Sequence, residues 1–224
     1  MTPATQPTPT PLELIQEEVD GYGHGRVPRD VRRRHILAVA EQLFVERGYA
    51  AASMDDLSNR AGVSKPVIYE IVGAKDAVFE ACLARVADEL AAQVAGAVLE
   101  ADADDEAAAL RAGALAWFEF IGERRPLWEA LLSSSDVPTT EAVEAIRSRQ
   151  DGFVALQLVE GARERGVEPD PELAGAVATA MNGAFEALGR WWHDHPDRTA
   201  AELAELYTAL VLPGLTALFD LVAE

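Results

Sequence analysis

The chain has 224 residues, 49% of them hydrophobic and 25% charged, and a formal net charge of −19. This balance fits one large or two small folded domains with a real core and excludes a disordered or fibrous chain. No stretch approaches the roughly 18 consecutive apolar residues of a membrane span, no cationic and apolar leader opens the chain, and the single Cys82 allows no internal disulfide, so a cytoplasmic location is expected.

Residues 1–25 begin rich in Pro and Thr and later become Gly-rich, which predicts a disordered tail with at most a helical turn over Leu12 to Val19. A first helix is expected from about Pro28 to Arg47, its core face set by Ile36, Ala40, Leu43 and Phe44 and its end by Gly48. A second runs from about Met54 to Ala61, capped by Ser53, with Asp55 and Asp56 in the first turn, where the helix dipole favours acids. Gly62 gives the tight turn, Ser64 is placed to cap the next helix, and Pro66 fits a first helical turn that has no N–H partner to lose. A third helix is therefore expected from about Lys65 to Ile71, with Ile68 and Ile71 turned to the core. Three helices with this spacing make a helix-turn-helix, whose last helix offers its N-terminal residues to the major groove.

Helical patterns continue to the C-terminus. One is expected from Lys75 to about Leu99, another ends near Arg124, and a short one begins at Pro126. A long helix should span Thr140 to Arg165. The next opens at Pro171 behind Asp170 and reaches about Trp192. The last runs from Thr199, with Glu202 at capping-box spacing and Pro213-Gly214 inside it. No strand pattern or repeat stands out, so the predicted fold class is all-α.

The charge maps onto this division. Residues 1–25 carry four acids and no Lys or Arg; residues 26–75 carry nine basic against six acidic residues; residues 76–224 carry twenty-eight acidic against ten basic. Both lysines, Lys65 and Lys75, fall in the middle segment. Duplex DNA asks for a local cationic face rather than a cationic protein, and an acidic remainder would be held away from phosphates. The expected domains are a tail over 1–25, a helix-turn-helix domain over 26–75, and a helical domain over 76–224.

The series Ile36-Leu37, Ala40, Leu43-Phe44, Gly48-Tyr49, Ala61-Gly62-Val63-Ser64, Ile68-Tyr69 and Lys75-Asp76 resembles the TetR family of bacterial transcriptional regulators. The resemblance is strongest over Ile36 to Val78 and covers the remainder in helical, alanine-rich character. Ile71-Val72 stand where the family usually has His-Phe, which keeps the packing and removes a phosphate contact. The resemblance implies a homodimer through the last two helices. Such a dimer places two recognition helices in major grooves roughly 34–36 Å apart, on a palindromic operator. It further implies a repressor released by a small apolar or amphipathic effector.

For the DNA face, Lys65 is the first choice for guanine O6/N7, Val67 for a thymine methyl, and Pro66 for sugar or methyl packing. Tyr69 and Lys75 suit phosphates, Ser53 and Ser64 combine capping with phosphate contact, and Arg32 and Arg33 belong to a cationic arm with Arg26, Arg29 and Arg34. Tyr69 reads almost as well as a half-buried core residue. For the effector, Trp117, Phe120, Trp128, Met181 and Phe185 are the expected pocket, although apolar residues at helical spacing more often form core. His193-Asp194-His195 reads as a helix end rather than a metal site, Cys82 as core filler, and no cofactor is expected. No catalytic motif appears; the alternative from another class is a helical small-molecule binder or enzyme with a vestigial helix-turn-helix.

Overall fold

A computed structural model describes residues 11–23, 26–102, 105, 107–124, 141–164 and 166–223. Every regular element among them is an α-helix. The chain divides into two compact units, with the break after Arg85.

The first unit contains α1 (Pro11–Gly21), α2 (Arg29–Ala51), α3 (Met54–Ala61), α4 (Lys65–Ile71) and the start of α5 (Lys75–Leu99). Ile36, Leu43, Phe44, Leu57, Ala61 and Ile68 are buried, as their helical spacing predicts. Gly48 (φ 74°, ψ 167°) interrupts α2, and Gly62 (φ 62°, ψ 27°) ends α3 in the left-handed region. Both conformations penalise a side chain and suit glycine. Ser53 caps α3 by accepting the Asp56 N–H at 3.1 Å. Ser64 precedes α4 without a side-chain cap bond, so the expected capping role is corrected; its carbonyl accepts the Val67 and Ile68 N–H groups instead.

Two boundaries differ from expectation. The tail expected over 1–25 contains a docked helix: Ile15 of α1 is buried with Val31 and Ala38 of α2, and Leu12, Val19 and Val27 pack on them. Leu12, Ile15 and Val19 form one stripe, which α2 covers; the surrounding Pro, Thr and Gly hide it in a composition reading. The domain limit expected at residues 75–76 lies ten residues later. Val78, Phe79 and Cys82 explain this, because all three are fully buried. Phe79 meets Phe44 edge-to-face at 5.3 Å, and the Cys82 thiol lies 3.7 Å from the Leu37 carbonyl. Burial pushes the Cys82 thiol well above its ordinary pKa, which fits an inert filler.

The second unit contains the rest of α5, α6 (Ala108–Glu123), α7 (Glu141–Glu164), α8 (Pro171–His193) and α9 (Ala200–Ala223). Its main pairings are α6 with α9 and α7 with α8. Asp170 caps α8 by accepting the Glu172 N–H at 2.8 Å, with Pro171 in the first turn. Thr199 and Glu202 form a reciprocal capping box before α9: Thr199 N–H donates to Glu202 at 2.8 Å, and Glu202 N–H donates to Thr199 at 3.2 Å. The helix opened by Pro126 lies outside the described residues.

Candidate nucleic-acid interface

The second and third helices of the motif set which side chains reach outward. Ile68 is fully buried and anchors α4 in the core. With that side fixed, Pro66, Tyr69 and Glu70 are exposed, and Lys65 and Val67 are partly exposed. Tyr69 is 49% exposed, so its ring is half-buried and its outer half reaches solvent. The exposed side chains of α4 therefore carry an ammonium, a hydroxyl, two apolar groups and the Glu70 carboxylate. Apart from the carboxylate, these are groups that meet phosphate oxygens, base-edge acceptors and thymine methyls.

Several cations of the basic segment are held by acids of the same unit. Lys65 is ion-paired with Asp55 across the turn between α3 and α4. Arg29 reaches Glu70 at 3.2 Å and also donates to the Glu70 carbonyl at 2.7 Å. Arg34 pairs with Glu18 at 2.9 Å, Arg47 with Asp56 at 2.9 Å, and Arg60 with Glu46 at 2.6 Å. The Ser53 hydroxyl holds the Asp56 carboxyl below its usual range, and the Arg60 side chain does the same for Glu46. Arg26, Arg32 and Arg33 make no ion pair among the described residues. Arg32 is partly exposed, and Arg26 and Arg33 are exposed.

Lys75 opens α5 and is fixed from two sides. Its ammonium donates to the Ala50 carbonyl at 3.1 Å and lies 4.5 Å from the Tyr49 ring centre. Tyr49 in turn donates its hydroxyl to Asp76, and burial together with that carboxylate pushes its pKa up to about 12. A lysine held this way presents its charge from one place rather than sweeping through solvent.

The sequence reading missed α1 as part of this unit. His35 is buried beneath it and lies 2.8 Å from Gln16, while its Nδ1 has no partner. The spacing of Leu12, Ile15 and Val19 was the signal available.

Of the residues expected to line an effector pocket, Trp117 and Phe120 are buried and Met181 and Phe185 are partly buried. Trp117 stacks on Phe185 at 5.0 Å, and Phe185 stacks on Tyr207 at 3.7 Å. Phe118 meets both Trp117 and Trp192 edge-on. Phe120 is buried with the Arg124 guanidinium 4.5 Å from its ring centre, and the Met181 carbonyl accepts the Tyr207 hydroxyl at 3.4 Å. Trp128 lies outside the described residues. An apolar cleft of about 230 Å³ occurs elsewhere in the same unit, between α7, α8 and α9, and none of the expected residues that are described lines it. At the end of α8, His195 stacks on Trp191 at 3.9 Å and its ring nitrogen lies 2.8 Å from the Trp191 carbonyl, a structural role.

The family comparisons agree with this layout. Residues 36–82 match the model for bacterial regulatory proteins of the tetR family, and residues 107–214 match a tetracyclin repressor-like C-terminal domain. The chain is 44% identical over 173 residues to the HTH-type transcriptional activator FasR of Mycolicibacterium smegmatis, covering 76% of this chain and 77% of that protein. It is 31% identical over 165 residues to the HTH-type transcriptional regulator EthR of Mycobacterium tuberculosis, covering 72% and 76%. A TetR-like transcriptional regulator from Rhodococcus sp. RHA1 superposes with a TM-score of 0.60 at 26% identity, covering 85% of this chain and 99% of that one. A TetR-family regulator structure from Syntrophomonas wolfei, at 17% identity and a TM-score of 0.69 over 84% and 97% of the two chains, shares the fold. The outward face of α4, the helical second unit and these similarities lead to one conclusion: the chain belongs to the TetR family and is a DNA-binding transcriptional regulator, not an enzyme.

Proposed function

We propose that the protein acts as a homodimer on a palindromic operator, with α4 of each copy in a major groove, and that a small apolar or amphipathic molecule releases it. The observation that carries this reading is the outward face of α4. Lys65, Pro66 and Val67 open a helix whose other side is locked by buried Ile68, and Tyr69 follows on the same short helix. In this reading Lys65 contacts guanine, Val67 and Pro66 pack on methyl and sugar groups, and Tyr69 and Lys75 hold phosphates. Ser53 and Ser64 add hydroxyl contacts, and Arg32 and Arg33, without an ion pair among the described residues, supply charge beside the motif.

The dimer is supported by an exposed apolar stripe on the last two helices. Leu206 and Leu210 are 50% and 64% exposed on α9, and Ala176, Ala180, Gly183 and Ala187 are exposed along α8. Small residues on one helix facing leucines on another allow close four-helix packing. The effector then works by population shift, favouring a dimer whose α4 helices no longer match the groove spacing.

Activation rather than repression is the second reading. It is favoured by the 44% identity to a protein named as an activator.

The test is a fluorescence-anisotropy titration with DNA from upstream of the protein's own gene, at two salt concentrations, and then transcription in vitro from that DNA. Salt-sensitive binding of a dimer to one palindromic segment with reduced transcription supports repression. Binding with increased transcription supports activation. Failure on that DNA and in a random-sequence selection overturns the operator reading.

A further inference from the structure

Arg29 opens α2 and turns its guanidinium toward the end of α4. Pro28 precedes it at φ −54°, and the Arg32 N–H donates to the Pro28 carbonyl at 2.9 Å. Val31, two residues on, is buried with Ile15 of α1, and Val27 packs on the same cluster. A proline ring and apolar packing thus fix the start of α2, and the Arg29 side chain leaves from a rigid point. The sequence groups Arg29 with a phosphate-facing arm; the structure gives its charge another use.

The guanidinium meets Glu70 in two places. One nitrogen lies 3.2 Å from a carboxylate oxygen, and the other donates to the Glu70 main-chain carbonyl at 2.7 Å. The two side chains are 64% and 72% exposed, and an ion pair so exposed contributes little by itself. The carbonyl contact is of another kind, because the last four carbonyls of a helix have no intrahelical partner. In α4 the Ile68 carbonyl accepts the Val72 N–H at 2.9 Å, and the Tyr69 carbonyl accepts the Gly73 N–H at 3.2 Å. The Glu70 carbonyl takes the guanidinium. A cation donating at the negative end of a helix makes a stronger bond than a neutral donor. The planar fork also fixes direction as well as distance.

The helix needs such a hold. It has seven residues, well short of the roughly 12–15 at which a helix becomes marginally stable alone. Ser64 gives no side-chain cap at its start, and Ile68 is its buried residue, flanked by partly buried Val67 and Ile71. That anchor fixes which face turns outward and leaves the axis free to tilt about it. A second hold at the C-terminal end removes this freedom.

We propose that Arg29 is a positioning residue for the recognition helix. By holding the Glu70 carbonyl it sets the tilt of α4, and with it the register of Lys65 and Val67 against the bases, without itself contacting phosphate. The consequence for DNA rests on the operator reading above; the hold on α4 does not.

The test uses the full chain with Arg29→Ala, Arg29→Lys and Glu70→Gln. Amide hydrogen exchange in the free protein reads the hold. Anisotropy titrations with a selected operator and with random duplex, each over a salt series, read its consequence. Arg29→Ala should speed exchange of the Val72 and Gly73 amides roughly threefold or more. It should also lower the ratio of operator to random-duplex affinity roughly tenfold, with the salt slope unchanged. Arg29→Lys keeps the charge and loses the fork, so it should recover no more than part of either loss. Glu70→Gln keeps the main-chain carbonyl and should retain both protection and discrimination. A phosphate contact gives the opposite pattern: a shallower salt slope in Arg29→Ala, full recovery in Arg29→Lys and intact discrimination. That pattern overturns the proposal. So does unchanged exchange in Arg29→Ala, or a loss in Glu70→Gln as large as that in Arg29→Ala, which would assign the effect to the carboxylate. Faster exchange in Arg29→Ala, in a protein whose wild type binds no operator, removes the operator reading alone.

Discussion

Lys65 of α4 and Asp55 of α3 form an ion pair on the surface proposed to meet DNA. In free protein the carboxylate neutralises the cation best placed to meet a base edge. On binding, Lys65 has to leave Asp55 for the groove. The exchange is inexpensive, because an exposed pair of this kind is worth roughly 0–1 kcal/mol.

Lys65→Ala should therefore weaken operator binding by about 1–3 kcal/mol and relax discrimination at one base pair. Asp55→Asn should strengthen binding, by at most about fivefold, since only the weak competing pair is removed. Anisotropy titrations on matched and mismatched operators check both. Unchanged affinity in Lys65→Ala would remove this residue from the interface.

Ser53 and Ser64 separate stability from recognition. Ser53 caps α3 with its side chain, so Ser53→Ala should cost about 1 kcal/mol in denaturant unfolding. Ser64 makes no side-chain cap bond, so Ser64→Ala should leave the unfolding midpoint in place while lowering DNA affinity if its hydroxyl meets a phosphate. A midpoint shift in Ser64→Ala equal to that in Ser53→Ala would contradict the distinction.

His35 gives the first unit a pH dependence. Burial lowers its pKa, the Arg32 charge lowers it further, and Asp20 opposes them. The folded unit therefore prefers the neutral ring more than the unfolded chain does. Stability is intact above the unfolded pKa of about 6.5 and declines as pH falls below it, until the folded protein also takes up the proton. Because Gln16 of α1 holds the ring at 2.8 Å, α1 should loosen from α2 in that window. Hydrogen exchange on α1 as a function of pH checks this, and His35→Gln should flatten the response.

Leu206 and Leu210 bear on assembly. Both are large, apolar and at least half exposed on α9. Leu206→Glu or Leu210→Glu should convert the dimer to monomer in sedimentation and abolish tight binding to a two-half-site operator. Leu14→Glu, at a residue 53% exposed in the first unit, should leave the dimer intact. A monomeric wild-type chain would refute the dimer outright.

The DNA-binding motif was legible because its signals are local. Gly48, Ser53 and Gly62 each act through the backbone within a few residues, and the structure places each where its chemistry requires. The caps at Asp170 and at Thr199–Glu202 were legible for the same reason. Helical spacing also marked Ile68 as core, where it is fully buried, and Ile71, which is partly buried.

Pairing between distant segments was not legible. The sequence alone determined an all-α chain, a helix-turn-helix near its start and the concentration of lysine there, because helix periodicity, turn glycines and charge are properties of short windows. Only the tertiary structure decided that α1 docks through Ile15 and Gln16, that Lys65 rests on Asp55, and that Phe185 stacks between Trp117 and Tyr207 while a cleft opens beside Leu158 and Val177. An aromatic at helical spacing has the same sequence signature in a packed cluster and in a pocket wall. What separates them is whether another ring, as Tyr207 does for Phe185, arrives from far along the chain to fill the space.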